Sequence, residues 1–128
     1  MHILLIFNIN KMKNYKFYKK TIETTGTTYF LVETGGQSIL AYFDFTIKDY
    51  DAVQSIIEKV EDNRFLNKTE DPYVWGNEDV TVFANEIGVL LVDKLAMRSG
   101  QEVEPLELTH EEFITFMKDF KKFIEENS

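Results

Sequence analysis

The C-terminal stretch constrains this chain most. Thr109-His110-Glu111-Glu112 has the spacing of a capping box, in which a Thr hydroxyl and a Glu carboxylate three residues on satisfy each other's backbone N–H groups. Phe113, Phe116, Met117, Phe120, Phe123 and Ile124 follow at steps that place them on one helix face. Lys118, Lys121 and Lys122 fall in the second half, where cations suit the helix dipole. A helix with such a stripe needs a matching apolar surface, and the rest of the chain must supply it.

A second amphipathic helix is predicted after Asp49, which stands at the N-cap position with Asp51 in the first turn. Val53, Ile56, Ile57 and Val60 recur at i, i+3, i+4 and i+7, while Gln54, Glu58 and Glu61 lie opposite. The other apolar runs read as strands. Tyr15 and Phe17 open an alternating strand with lysines on its wet face, broken by Gly26. Tyr29–Val32 and Ile39–Phe45 flank Gly35-Gly36 and read as a hairpin. After a polar loop over 63–72, Tyr73-Val74-Trp75 and Val80–Ala84 form a second hairpin around Gly76-Asn77-Glu78. Val89–Val92 is continuously apolar, as a central strand is, and 98–105 reads as a loop.

Strands grouped in hairpins, with helices that do not alternate with them, predict an α+β fold. The expected architecture is a two-layer antiparallel sheet of five to six strands covered by two amphipathic helices. With 128 residues the chain fits a single domain, 1–128. Eleven phenylalanines predict an aromatic-rich core. The opening run Met1-His2-Ile3-Leu4-Leu5-Ile6-Phe7 is too short for a bilayer, which takes about 20 residues, and lacks a signal-peptide cleavage site. It reads as an edge strand or, preferably, with the rest of 1–11, as an upstream extension in front of a start at Met12, since its apolar side chains would otherwise lie exposed.

Charge separates along the chain. Residues 1–43 hold five lysines and two acids, a net +3, whereas residues 44–128 hold nine basic and twenty acidic residues, a net −11. An acidic surface repels nucleic acid and anionic membranes and speeds encounter with cationic partners. Lys11, Lys13, Lys16, Lys19 and Lys20 interleave with Tyr15, Phe17 and Tyr18 as in single-strand binders, but such lysines equally protect an edge strand. With −8 overall, the edge-strand reading is preferred and no nucleic acid is expected as partner.

Catalytic motifs are scarce. There is no cysteine, which excludes a Cys nucleophile, disulfides and thiolate metal sites and suits a reducing cytoplasm. His2 and His110 are the only histidines, too few for a metal cluster, and His110 reads as a structural residue of a helix's first turn. Carboxylates abound without an EF-hand pattern, and Gln37-Ser38 after Gly35-Gly36 departs from a phosphate loop. No catalytic residue, metal or cofactor is expected. The suggestive pattern is aromatics among acids: Asp44, Asp49, Tyr50 and Asp51 in one segment, Glu70, Asp71, Tyr73, Glu78 and Asp79 in another. Tyr anchors flanked by carboxylates suit a basic protein surface, and these nine residues form the candidate partner-binding set. Strand alternation also allows Tyr73 and Trp75 to point into the core, leaving Val74 outside.

The segment Tyr73-Val74-Trp75-Gly76-Asn77-Glu78-Asp79-Val80-Thr81-Val82-Phe83-Ala84-Asn85 resembles the hairpin of the YacL-like family of small bacterial proteins. Met12-Lys13-Asn14-Tyr15-Lys16-Phe17 resembles that family's N-terminus. The resemblance carries over no catalytic residue. In size, acidity and lone-domain build the chain is also similar to immunity proteins of bacterial toxin systems, including contact-dependent growth inhibition. That likeness implies a non-enzymatic cytoplasmic antitoxin that occludes a basic toxin domain, such as a nuclease. A housekeeping regulator or adaptor of the YacL-like kind and a carboxylate-dependent enzyme are the alternatives.

Overall fold

A computed structural model describes residues 15–35, 38–64 and 71–128. The apolar run at 1–7 and the proposed start at Met12 lie outside the described residues, as do Lys11, Lys13, Gly36 and Glu70.

The two long helices form where the apolar spacing places them. Helix α1 spans Tyr50–Asn63 and buries Val53, Ile56, Ile57 and Val60. Helix α3 spans His110–Asn127 and begins at the capping box: Thr109 N donates to Glu112 Oε1 at 2.8 Å, and Glu112 N donates to Thr109 Oγ1 at 3.0 Å. Phe113, Phe116, Met117, Phe120 and Ile124 are fully buried, and Ile114 joins them at the edge of the stripe. The helices pack side by side. Arg64 at the end of α1 meets Glu111 at the start of α3, and Tyr50 at the start of α1 donates its hydroxyl to Glu125 near the end of α3, so the pair is antiparallel.

The fold is α+β and its described strands are antiparallel, but they divide into two sheets. The first, in order β1-β2-β3, comprises β1 (Tyr15–Ile22), β2 (Thr27–Thr34) and the two-residue β3 (Asp44–Phe45). The second, in order β4-β5-β6-β7, comprises β4 (Tyr73–Gly76), β5 (Val80–Ala84), β6 (Val89–Asp93) and β7 (Leu106–Leu108). The run Ile39–Phe45, expected as a full strand, instead makes a 3₁₀ turn over Ser38–Tyr42 before β3. Three residues per turn bring Leu40 and Phe43 onto one face, and both are fully buried, whereas a strand would point them to opposite faces.

Rings join the two sheets where ladder bonds do not. Phe43 stacks on Trp75 with ring centres 5.7 Å apart and planes 7° from parallel, and Phe45 approaches the same indole at 5.9 Å. Phe43 also meets Phe113 and Phe116 of α3, while Phe17 of β1 packs on Phe116, Phe120 and Phe123. The aromatic core is thus the common floor of both sheets and the helices.

Strand roles follow the residue pattern. The apolar strand β6 is central, between β5 and β7. Among the described residues the lysine-rich β1 is an edge, with Lys16, Tyr18 and Lys20 exposed. Two elements went unread in the sequence, the short helix α2 (Lys94–Arg98) and β7. Asp93 caps α2, accepting from Ala96 N at 2.8 Å.

Candidate partner-binding surface

Three separate segments bring acids together at one end of the sheets. Asp44 lies on β3 opposite Leu31 of β2, with its side chain on the solvent side. Asp49 ends the 3₁₀ turn leading into α1. Its carboxylate turns back from the helix it was expected to cap, accepting from Thr46 N at 2.8 Å and Thr46 Oγ1 at 3.2 Å. Glu78 and Asp79 sit in the β4–β5 turn. Asn77 builds that turn: its Oδ1 accepts from Asp79 N and Val80 N, both at 2.9 Å, and its Nδ2 donates to Tyr42 O at 2.9 Å. One amide therefore ties the turn to the segment just before Asp44.

Electrostatics registers the convergence. Asp44 keeps an exposed surface, yet partial desolvation of its carboxylate and then the charges of Asp49, Asp79 and Glu78 push its pKa up. A raised carboxyl pKa means that the folded state binds the proton more readily than the unfolded chain. The site therefore weakens the fold at neutral pH, and the penalty fades as pH falls through the carboxylate range. Asp44→Asn should stabilise the protein at pH 7, within the roughly 0.5 kcal/mol typical of exposed positions. The gain should vanish below the ordinary aspartate value of 3.8. Urea titrations of both proteins across that range check it.

Residues not singled out in the sequence complete the surface. Tyr42 has its hydroxyl pKa raised by burial, by the neighbouring Asp93 carboxylate and by Asp79. Arg98 of α2 pairs with Asp79, Nη2 to Oδ1 at 3.1 Å, and donates from Nη1 to the Glu78 carbonyl. The signal for this helix lies in Asp93 followed by Lys94, Leu95, Ala96, Met97 and Arg98, a capping residue ahead of good helix formers. Arg98 leaves Asp44 and Asp49 unneutralised among the described ion pairs.

Of the remaining described candidates, Tyr50 and Asp51 follow Asp49 directly in the chain, and Asp71 and Tyr73 lie apart. Asp51 is exposed in the first turn of α1. Tyr50 turns toward α3, its ring under Lys121 Nζ at 5.5 Å. Asp71 and Tyr73 sit at the opposite end of α1, where Tyr73 N donates to Asn63 Oδ1 at 3.3 Å. A helix of this length spans about 20 Å, which separates them from Asp49. Tyr73 and Trp75 point inward against the core, and Val74 points out with 52% of its surface exposed. Of Tyr73 only part remains accessible, and burial raises its hydroxyl pKa. His110 joins α3 to the β5–β6 turn, its Nε2–H donating to Asn85 O at 2.6 Å.

Among the described residues no group of three or more His, Asp or Glu side chains is placed to hold a metal ion. No described helix is long and apolar enough to cross a membrane. Compared with protein-family models, with curated proteins and with solved structures, the chain matches none.

Proposed function

We propose that this chain is a non-catalytic binding protein for a basic protein partner, in its most concrete form a cytoplasmic immunity protein that neutralises a cationic bacterial toxin domain. The observation that carries the reading is the meeting of Asp44, Asp49, Glu78 and Asp79 from three separate segments. Desolvation and then the charges of Asp49, Asp79 and Glu78 raise the pKa of Asp44 at a cost to the free protein's stability, and Lys or Arg side chains of a partner would relieve the charge repulsion on docking. Binding over this surface would occlude the toxin's substrate-facing cations. Asp51 extends the same end of the molecule, whereas Asp71 and Tyr73 would contact only a partner large enough to reach along β4.

Affinity capture from the source cells tests the reading, with wild type beside an Asp44→Lys/Glu78→Lys variant. The expected result is a basic protein retained by wild type and held about a hundredfold more weakly by the variant, since like charges brought together at an interface cost several kcal/mol. Equal retention by both proteins, or capture of no basic protein, overturns it. A toxin gene immediately upstream would separate the immunity reading from a YacL-like regulator or adaptor.

A further inference from the structure

The outer face of the four-stranded sheet carries a feature the acidic surface does not use. Register places Val74, Phe83, Leu90 and Glu107 side by side across β4, β5, β6 and β7, on the face turned away from the core. Phe83 is 37% exposed, and Ile87, at the tip of the β5–β6 turn, is 82% exposed. An open groove of about 620 Å³ runs here, with Phe83, Ile87 and Leu90 as its apolar wall and Glu107 and Glu112 as its charged side chains. No Lys or Arg is among the groove's lining residues.

We infer that this groove is a second docking site, which takes an extended protein segment carrying apolar side chains flanked by Lys or Arg. Charge selects that occupant. An apolar anchor would cover Phe83 and Leu90, removing aliphatic and aromatic surface from water. Its basic neighbours would lay their stems along the apolar wall and carry their ammonium or guanidinium heads to Glu107 and Glu112. One oxygen of Glu112 already accepts from Thr109 N, so that carboxylate is held in place at the helix start. A second copy of this chain is a poorer occupant, because it would bring a molecule of net charge −8 against a groove of the same sign. The site lies at the β5–β6 end of the sheet and is independent of the acids at the β4–β5 turn.

The probe is a fluorescently labelled heptapeptide of alternating Lys and Leu, read by anisotropy. Two control peptides replace Lys by Glu, or Leu by Ser. The Lys/Leu peptide should bind, and both controls should bind at least about tenfold more weakly. Phe83→Ser and Glu107→Lys should each weaken binding about tenfold, whereas Glu23→Lys, an equal change in net charge in the exposed β1–β2 turn, should leave it within about twofold. Ile87→Asp, at a more exposed position, replaces Phe83→Ser should that variant fail to fold. Equal binding of the Ser control would show simple charge attraction and overturn the proposal. Binding that survives Phe83→Ser and Glu107→Lys but falls with Glu78→Lys would move the peptide to the acidic surface and overturn it while leaving the proposed function standing. A dimer in sedimentation that dissolves on Ile87→Asp would make the groove a self-interface and likewise overturn it.

Discussion

Phe43→Ala should lower the stability of this protein by about 3–5 kcal/mol, the range for truncating a fully buried phenylalanine. The side chain is 0% exposed, stacks on Trp75 and meets Phe113 and Phe116. It stands where the two sheets approach without sharing a ladder, so its loss removes contacts between β4, the 3₁₀ turn and α3 together. Domains of this kind hold only about 5–15 kcal/mol in total, so a large share of the variant should unfold well below the wild-type urea midpoint. Phe83→Ala, on the exposed outer face, is the matched control and should change the midpoint far less. A Phe43→Ala midpoint close to wild type would mean that another interaction holds the sheets together.

Asn77→Ala should be the most damaging change at a polar position of the acidic surface, at about 2–3 kcal/mol. Three hydrogen bonds end on this side chain, and each contributes about 1 kcal/mol net. Two of them shape the β4–β5 turn and the third anchors it to Tyr42 O, so the substitution frees the turn and releases its position relative to Asp44. A second consequence follows for electrostatics: with Glu78 and Asp79 no longer held near Asp44, the raised pKa of that carboxyl should move back toward the ordinary aspartate value. NMR titration of the Asp44 carboxyl carbon in both proteins reads this directly. Asn77→Asp keeps the acceptor for the two turn N–H groups but sets a carboxylate oxygen against Tyr42 O and adds a charge beside Glu78 and Asp79, so it should not restore wild-type stability at pH 7. Asn85→Ala offers a comparison at the β5–β6 turn, where Oδ1 accepts from Ile87 N at 2.9 Å and Gly88 N at 3.3 Å and the tie to α3 runs through the Asn85 backbone carbonyl, which the substitution keeps. Its cost should be the smaller of the two.

The candidate surface was legible in part. Asp44 and Asp49, and Glu78 and Asp79, stand out as acids at a strand end, a helix start and a turn. Their proximity does not, because thirty or so residues separate the two pairs and no local pattern encodes that closure. The contiguous run from Asp71 to Asp79 suggested a single patch, yet β4 carries its two ends apart. Tyr73 could be placed in or out only by knowing which face of β4 meets the core, since one residue of register exchanges the faces.

What the sequence by itself determined are the elements whose signal is local and periodic. Both long helices and the capping box at Thr109 follow from spacings within a few residues, because burial of one stripe and satisfaction of terminal N–H groups are decided inside the element. Tertiary structure alone decided that Ile39–Tyr42 coils as a 3₁₀ turn, that the strands divide into two sheets, and that Leu106–Leu108 pairs with β6. In each case a short apolar run is compatible with several backbones, and the choice falls to whichever one buries Leu40, Phe43 and Leu108 against a core that distant residues build.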